Sequence, residues 1–191
     1  AKLNLFLHVT GRRADGYHTL QTAFVFLERA DRLWFELNTS GEISRVDIKG
    51  AAEVDIPAED LCVRAARLLQ QATGVKAGVR IRLEKNLPAG AGLGGGSSDA
   101  ATTLLALNQL WQAGLDQQQL LELGGQLGAD VPVFVHGEST GAEGVGDIFQ
   151  SLDEPVRAYC VLVPKVHVST AEIFSDSSLT RDTPIKTIRG S

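Results

Sequence analysis

The sequence predicts an α+β fold, a mixed sheet with packed helices, and three observations carry that prediction. Several short segments alternate apolar and polar residues with a period of two. Several longer ones repeat their apolar residues at helical spacing. The two kinds follow one another irregularly, whereas a doubly wound parallel sheet would need strict strand–helix alternation. With 43% hydrophobic and 21% charged residues among 191, the chain can fill one substantial core, or one domain and part of another.

Leu3, Leu5, Leu7 and Val9 alternate with Asn4, Phe6 and His8, which predicts a strand at the very start. A polar loop with two glycines and two arginines follows at 10–16. Leu33, Phe35 and Leu37, then Val46 and Ile48, predict two further strands, and Asn38-Thr39-Ser40-Gly41 between them reads as a hairpin connection. Asp60 or Glu59 is placed to cap a helix carrying Leu61, Ala65, Leu68 and Leu69, stopped by Gly74. Val79, Ile81 and Leu83 alternate with Arg80, Arg82 and Glu84 in another strand. After the glycine-rich stretch 88–98, a helix is expected to begin near Ser97 or Ser98 and to carry Leu104, Leu107 and Trp111 as far as Gly114. Asp116 caps a shorter helix with Leu120, Leu121 and Leu127. Residues 131–135 are short and apolar, and 158–163 read as a buried strand. The stretch 183–191 is polar and shows no packing pattern.

The formal net charge of −5 argues against nucleic acid as the main partner, because a phosphate backbone asks for a basic face. No run approaches the roughly 20 apolar residues that span a bilayer, and no secretory leader opens the chain. Cys62 and Cys160 lie in apolar surroundings without CxxC spacing. They read as buried thiols of a reducing cytoplasm, with neither disulfide nor zinc site expected. His8, His136 and His167 suit packing or surface positions rather than a metal site. The chain holds no methionine, and with its unpatterned end it reads as a piece of a longer protein.

The most informative segment is Pro88-Ala89-Gly90-Ala91-Gly92-Leu93-Gly94-Gly95-Gly96-Ser97-Ser98, followed by Asp99. Its glycines let backbone N–H groups turn inward and let a ligand approach closely. The helix beyond adds unpaired N–H donors and the positive end of its dipole, which together make a phosphate-sized anion site. A Walker loop would end in GKS or GKT, and none is present. Gly90-x-Gly92-x-x-Gly95 does match the dinucleotide fingerprint. The acidic residue about twenty positions on, Asp116, follows Gly114 and opens a helix, where a Rossmann unit would have a strand end. Ser97, Ser98 and Asp99 suit phosphate or metal contact and helix capping equally well.

The loop also matches the pattern P-x-G-x-G-L-G-[GS]-[GS]-S of the GHMP kinase superfamily. Ala1-Lys2-Leu3-Asn4-Leu5, Asp15-Gly16-Tyr17-His18, Gly128-Ala129-Asp130-Val131-Pro132 and Ala142-Glu143-Gly144-Val145-Gly146 accompany it. In this order and spacing the segments resemble the diphosphocytidyl-methylerythritol kinase branch. The resemblance implies an N-terminal domain of the ribosomal protein S5 domain 2-like type over 1–155 and the start of a second domain over 156–191. It implies ATP with Mg²⁺, a small cytidine diphosphate substrate phosphorylated on its 2-hydroxyl for isoprenoid synthesis, and a monomer or weak homodimer. It assigns Asp130 to the hydroxyl proton and Lys2 to charge support, a chemically sensible pair for phosphoryl transfer. It assigns residues 88–98 to ATP, and Asn4, Tyr17, His18, Phe24, Val145 and Phe174 to the substrate, with Tyr17 and Phe174 stacking on opposite sides of the base.

The chain departs from that pattern at Asp60, where the family tends to have Asn, in the polar run 137–141, and in lacking a second glycine-rich T-G-T-G-A segment. The competing expectations are another GHMP kinase, of homoserine or mevalonate type, and a non-catalytic S5-like RNA-binding domain. Tyr17-His18 and the 1–5 segment oppose the first. The acidic balance and the intact phosphate loop oppose the second.

Overall fold

Strand β5 (Gly78–Glu84) accounts for the larger core. Val79, Ile81 and Leu83 on its inner face are at most 1% exposed, while Arg80 and Arg82 face outward. The computed structural model describes residues 1–52, 56–152, 155, 157–164 and 170–187. Two sheets organise them: a four-stranded one in the order β1-β2-β6-β7 and a three-stranded one in the order β3-β5-β4.

In the smaller sheet, β3 (Arg32–Asn38) is antiparallel to β5. Strand β4 (Ile43–Ile48) runs parallel to it. The crossover between β4 and β5 is α1 (Leu61–Thr73), giving one βαβ unit. As expected, Asp60 caps α1 by accepting from the Val63 amide, and Gly74 ends it in the left-handed conformation. The expected hairpin at 38–41 does not form. Asn38 does turn the chain, its side chain accepting from Ser40, but β5 lies between the two strands. Helix α2 (Gly95–Leu110) packs on α1 through Ala100, Ala101, Leu104 and Leu107. Helices α3 (Gln117–Leu127) and α4 (Val131–His136) complete this core. Replacing Ile81 by Ala would cost roughly 2–5 kcal/mol, the range for a filled site that collapses only partly.

The larger sheet pairs β1 (Lys2–Arg12) with β2 (His18–Phe26) in antiparallel register, with bulges near Leu5 and Thr10. Beyond β2 lie β6 (Thr140–Glu143) and β7 (Ile148–Ser151). The run from Gln21 to Val25 is buried without alternation because both faces of β2 are covered. Val133 of α4 packs on Phe24 from one side. On the other, the buried Gln21 side chain pairs with the backbone of Lys186.

Four expectations are corrected here. Helix α2 begins at Gly95, two residues early, because Gly94 in the left-handed region caps it and no serine side chain does. Residues 158–163 form no strand and are largely exposed; among the described residues no strand pairs with them, and an unpartnered strand is not stable alone. Cys160 is accordingly exposed, while Cys62 is buried and its thiol pKa is pushed up by that burial. The polar stretch from 183 to 187 is docked across the sheet, with Thr183 N–H donating to Val9 O and Lys186 clasped by Gln21; residues 188–191 lie outside the described set. His8 and His136 pack against Phe6 and Phe149, and His167 lies outside the described residues.

Candidate active site

The glycine loop and the start of α2 wall a cavity of about 450 Å³, lined also by Asp60, Leu61, Arg64 and Lys85. Gly90, Gly92 and Gly94 take φ of 68°, 71° and 67°, a region where an added Cβ is strained. The first intrahelical bond runs from Ser98 N–H to Gly94 O, so the amides of Gly95, Gly96 and Ser97 precede the helix ladder, and these three residues line the cavity. Residues 88–97 all line this cavity, as does Asp99, whereas Ser98 does not.

Behind the loop lies a buried charge cluster. Lys85 Nζ donates to Asp99 Oδ2 at 2.8 Å and also to Asp31. Asp31 Oδ1 in turn accepts from the amides of Asn86 and Leu87, which fixes the turn leading into the loop. Burial raises the Asp99 carboxyl to about 6; Lys85 opposes this and Asp31 adds to it. The Asp99 carboxylate therefore faces Lys85 from a position only 3% exposed. Asp60, the one departure from the family pattern on this cavity wall, serves its helix cap and an ion pair with Arg45 at 2.9 Å.

Lys2 and Asp130 meet beside this cavity, Nζ to Oδ2 at 3.1 Å. The Lys2 amide donates to Leu93 O, and a Cβ on Gly94 would lie 3.2 Å from Lys2 Cγ. The end of β1 is thus stitched to the loop. Asp130 stands at the N-terminus of α4, yet its side chain makes no capping bond. It is 38% exposed, against 6% for Lys2. The same ammonium donates to Asn4 Oδ1 at 2.5 Å, and Asn4 donates to Thr22. The Asp130 carboxylate is thereby held by one buried cation, itself oriented by a relay into β2.

A second cavity, of about 1070 Å³, lies near Asp130, which itself lines neither cavity. Its neighbours Ala129 and Pro132 line it, together with Tyr17, His18, Val145 and Phe174. Tyr17 is 67% exposed. His18 and Phe174, the latter on α5 (Thr170–Ser175), stack on each other with ring centroids 5.1 Å apart. A flat base has no room between that pair, and both rings line the same cavity as Tyr17. Phe24 is absent from this wall. It is 3% exposed, and its ring lies 5.3 Å under the Lys2 ammonium.

Sequence reading did not single out Lys85, Asp31 or Arg181 as site residues. Only Lys85 carried a usable signal, a cation directly between a strand and the glycine loop. Arg181 approaches from a segment with no periodicity at all. Among the described residues, no cluster of three acidic, His or Cys side chains could hold a metal. No described helix is long and apolar enough to cross a membrane.

Residues 60–138 match the family model of the GHMP kinases' N-terminal domain. Over 185 residues the chain is 59% identical to 4-diphosphocytidyl-2-C-methyl-D-erythritol kinase of Dechloromonas aromatica (strain RCB), covering 96% of this chain and 66% of that protein. It is 60% identical over 185 residues to the kinase of the same name from Azoarcus sp. (strain BH72), covering 96% and 64%. A solved structure of 4-(cytidine 5'-diphospho)-2C-methyl-D-erythritol kinase matches with a TM-score of 0.67 and 46% identity, over 81% of this chain and 54% of that one. The chain spans just under two thirds of the length of these curated relatives.

Proposed function

This chain belongs to the GHMP kinases, and from that premise we propose that it carries the ATP-binding part of a kinase acting on 4-diphosphocytidyl-2-C-methyl-D-erythritol. The reaction would move the γ-phosphoryl of ATP to the 2-hydroxyl of the methylerythritol unit, in isoprenoid precursor synthesis. One observation carries the reading: the Lys2–Asp130 pair, at 3.1 Å, is joined to the walls of both cavities.

In this reading the smaller cavity takes the ATP phosphates on the amides of Gly95, Gly96 and Ser97, with the α2 dipole favouring their charge. The larger takes the cytidine diphosphate end against Tyr17 and His18. The hydroxyl lies at Asp130, which accepts its proton or orients it, while Lys2 offsets the charge that develops. Asn4 stays in the site as the residue that aims Lys2. Mg²⁺ fits as an ion borne by the phosphates, since it keeps several waters and needs few protein ligands; it would neutralise phosphate charge. The chain's own contribution is positioning and a fixed electrostatic frame.

The test is ADP release by this chain from ATP and Mg²⁺, with and without the cytidine alcohol. Release that depends on the alcohol supports the reading. Release at the same rate without it, or an Asp130→Asn variant as active as wild type, overturns it.

A further inference from the structure

We propose that Arg181 is a positioning residue of the larger cavity, acting through His18 by holding the imidazole in its neutral, Nδ1-protonated form. This rests on the reading of that cavity as the cytidine site.

The geometry leaves the guanidinium little choice. Arg181 Nη1 donates to Leu179 O at 2.9 Å, and Nη2 donates to Phe174 O and Asp176 O at 2.8 and 2.7 Å. Three backbone carbonyls around the end of α5 therefore fix the planar group in place. Of its two remaining donors, Nε–H points at His18 Nε2 over 3.1 Å. A guanidinium has no acceptor and does not lose its charge, so the ring nitrogen facing it must accept. Nε2 is then unprotonated, and the proton of the neutral ring sits on Nδ1. The ring is also held flat against Phe174, whose own carbonyl Arg181 binds. One side chain thus sets the tautomer of His18 and ties it to the segment it stacks on.

Charge reinforces the hydrogen bond. Protonating His18 would place a hydrogen on the atom facing Arg181 and set two cations together. Desolvation, then Arg181, then Arg12 lower the His18 pKa. The other charged groups on this cavity wall are Arg13, Asp15, Glu122 and Asp147. With Nε2 occupied, the ring atom left for a ligand is Nδ1–H, a donor, which suits an acceptor on a pyrimidine edge. The other neutral tautomer would turn Nδ1 into an acceptor and present the wrong polarity there.

The test reads the His18 ring directly by ¹⁵N NMR of this chain labelled at histidine, without ligand, in wild type, Arg181→Gln and Arg181→Lys. The expected result is a single Nδ1–H tautomer in wild type and a tautomer mixture with a raised His18 pKa in Arg181→Gln. CDP, used as the probe, should bind Arg181→Gln about tenfold more weakly, the order expected for losing a charge-assisted hydrogen bond. In a His18→Asn background the Arg181→Gln change should add little further loss, because the two residues act in series. An unchanged tautomer in both Arg181 variants overturns the proposal, as does a full additional loss in the His18→Asn background. Wild type that fails to bind CDP at all overturns the cytidine reading of the cavity instead, and the tautomer spectra tell the two failures apart.

Discussion

The two cavities near Lys2 and Asp130 are built from different materials. The smaller rests mainly on one stretch: ten consecutive residues, 88–97, line it, beside Asp60, Arg64 and Lys85. The larger is made by side chains from the β1–β2 turn, α3, the residue beyond Gly144 and α5. A backbone site needs glycines in one stretch and reads straight off the sequence. A side-chain site is assembled by the fold from segments more than 150 residues apart, as Tyr17 and Phe174 are. The difference also separates their chemistry, since amides suit phosphates of any nucleotide and side chains suit one base.

Breaking the junction between the cavities has the largest expected effect. Asp130→Asn should lower turnover by about 100-fold or more, the range for losing a general base, while calorimetric binding of ATP and of CDP stays near wild type. Retained turnover would remove Asp130 from the chemistry. Gly94→Val comes next and should spare the cytidine side. Its φ is 67°, and the new Cβ would lie 2.8 Å from Phe134 Cε2 and 3.2 Å from Lys2 Cγ. We expect ATP-dependent turnover to fall at least about tenfold through backbone strain and displacement of Lys2, with CDP affinity preserved. Tyr17→Ala should do the reverse. CDP should bind about tenfold more weakly, as for loss of one base–aromatic stack, and ATP affinity should not move; equal losses of both ligands would end the separation of the two cavities.

The smallest effect is on pH dependence. Asp99 is raised from 3.8 to about 6, so the folded state keeps a proton that the unfolded chain gives up near pH 4. This contribution is fully present below 3.8 and is lost as pH rises through about 6, which makes stability fall with pH across that window. Asp99→Asn removes the group. Urea midpoints measured from pH 4 to 7 should therefore fall less with rising pH in Asp99→Asn than in wild type. Parallel curves would mean that Asp99 does not titrate in this range.

Legibility in the sequence followed the same division. β1, β3, β4 and β5 announced themselves by alternation, and α1 and α3 by Asp60 and Asp116, because each has one wet face and a polar cap. β2 did not, since Gln21 through Val25 are buried on both faces and show no period. The four-residue strands β6 and β7 are too short to carry one. Residues 158–163 misled for the opposite reason: apolar content alone does not make a strand without a neighbour. In the site, Lys2, Asp130 and the loop were legible as motifs, and the structure adds that Asp130 is uncapped and paired. Phe24 was legible as an aromatic near the motifs but not as a packing residue beneath Lys2. Arg181 was illegible, because its role depends on the fold of the segment after α5.

The most direct test of the account is ³¹P NMR of this chain with ATP, Mg²⁺ and 4-diphosphocytidyl-2-C-methyl-D-erythritol. The expected product is a new phosphate monoester on the tertiary alcohol, formed in step with ADP and absent with Asp130→Asn. ADP accompanied only by inorganic phosphate, or a monoester formed equally fast by Asp130→Asn, would contradict it.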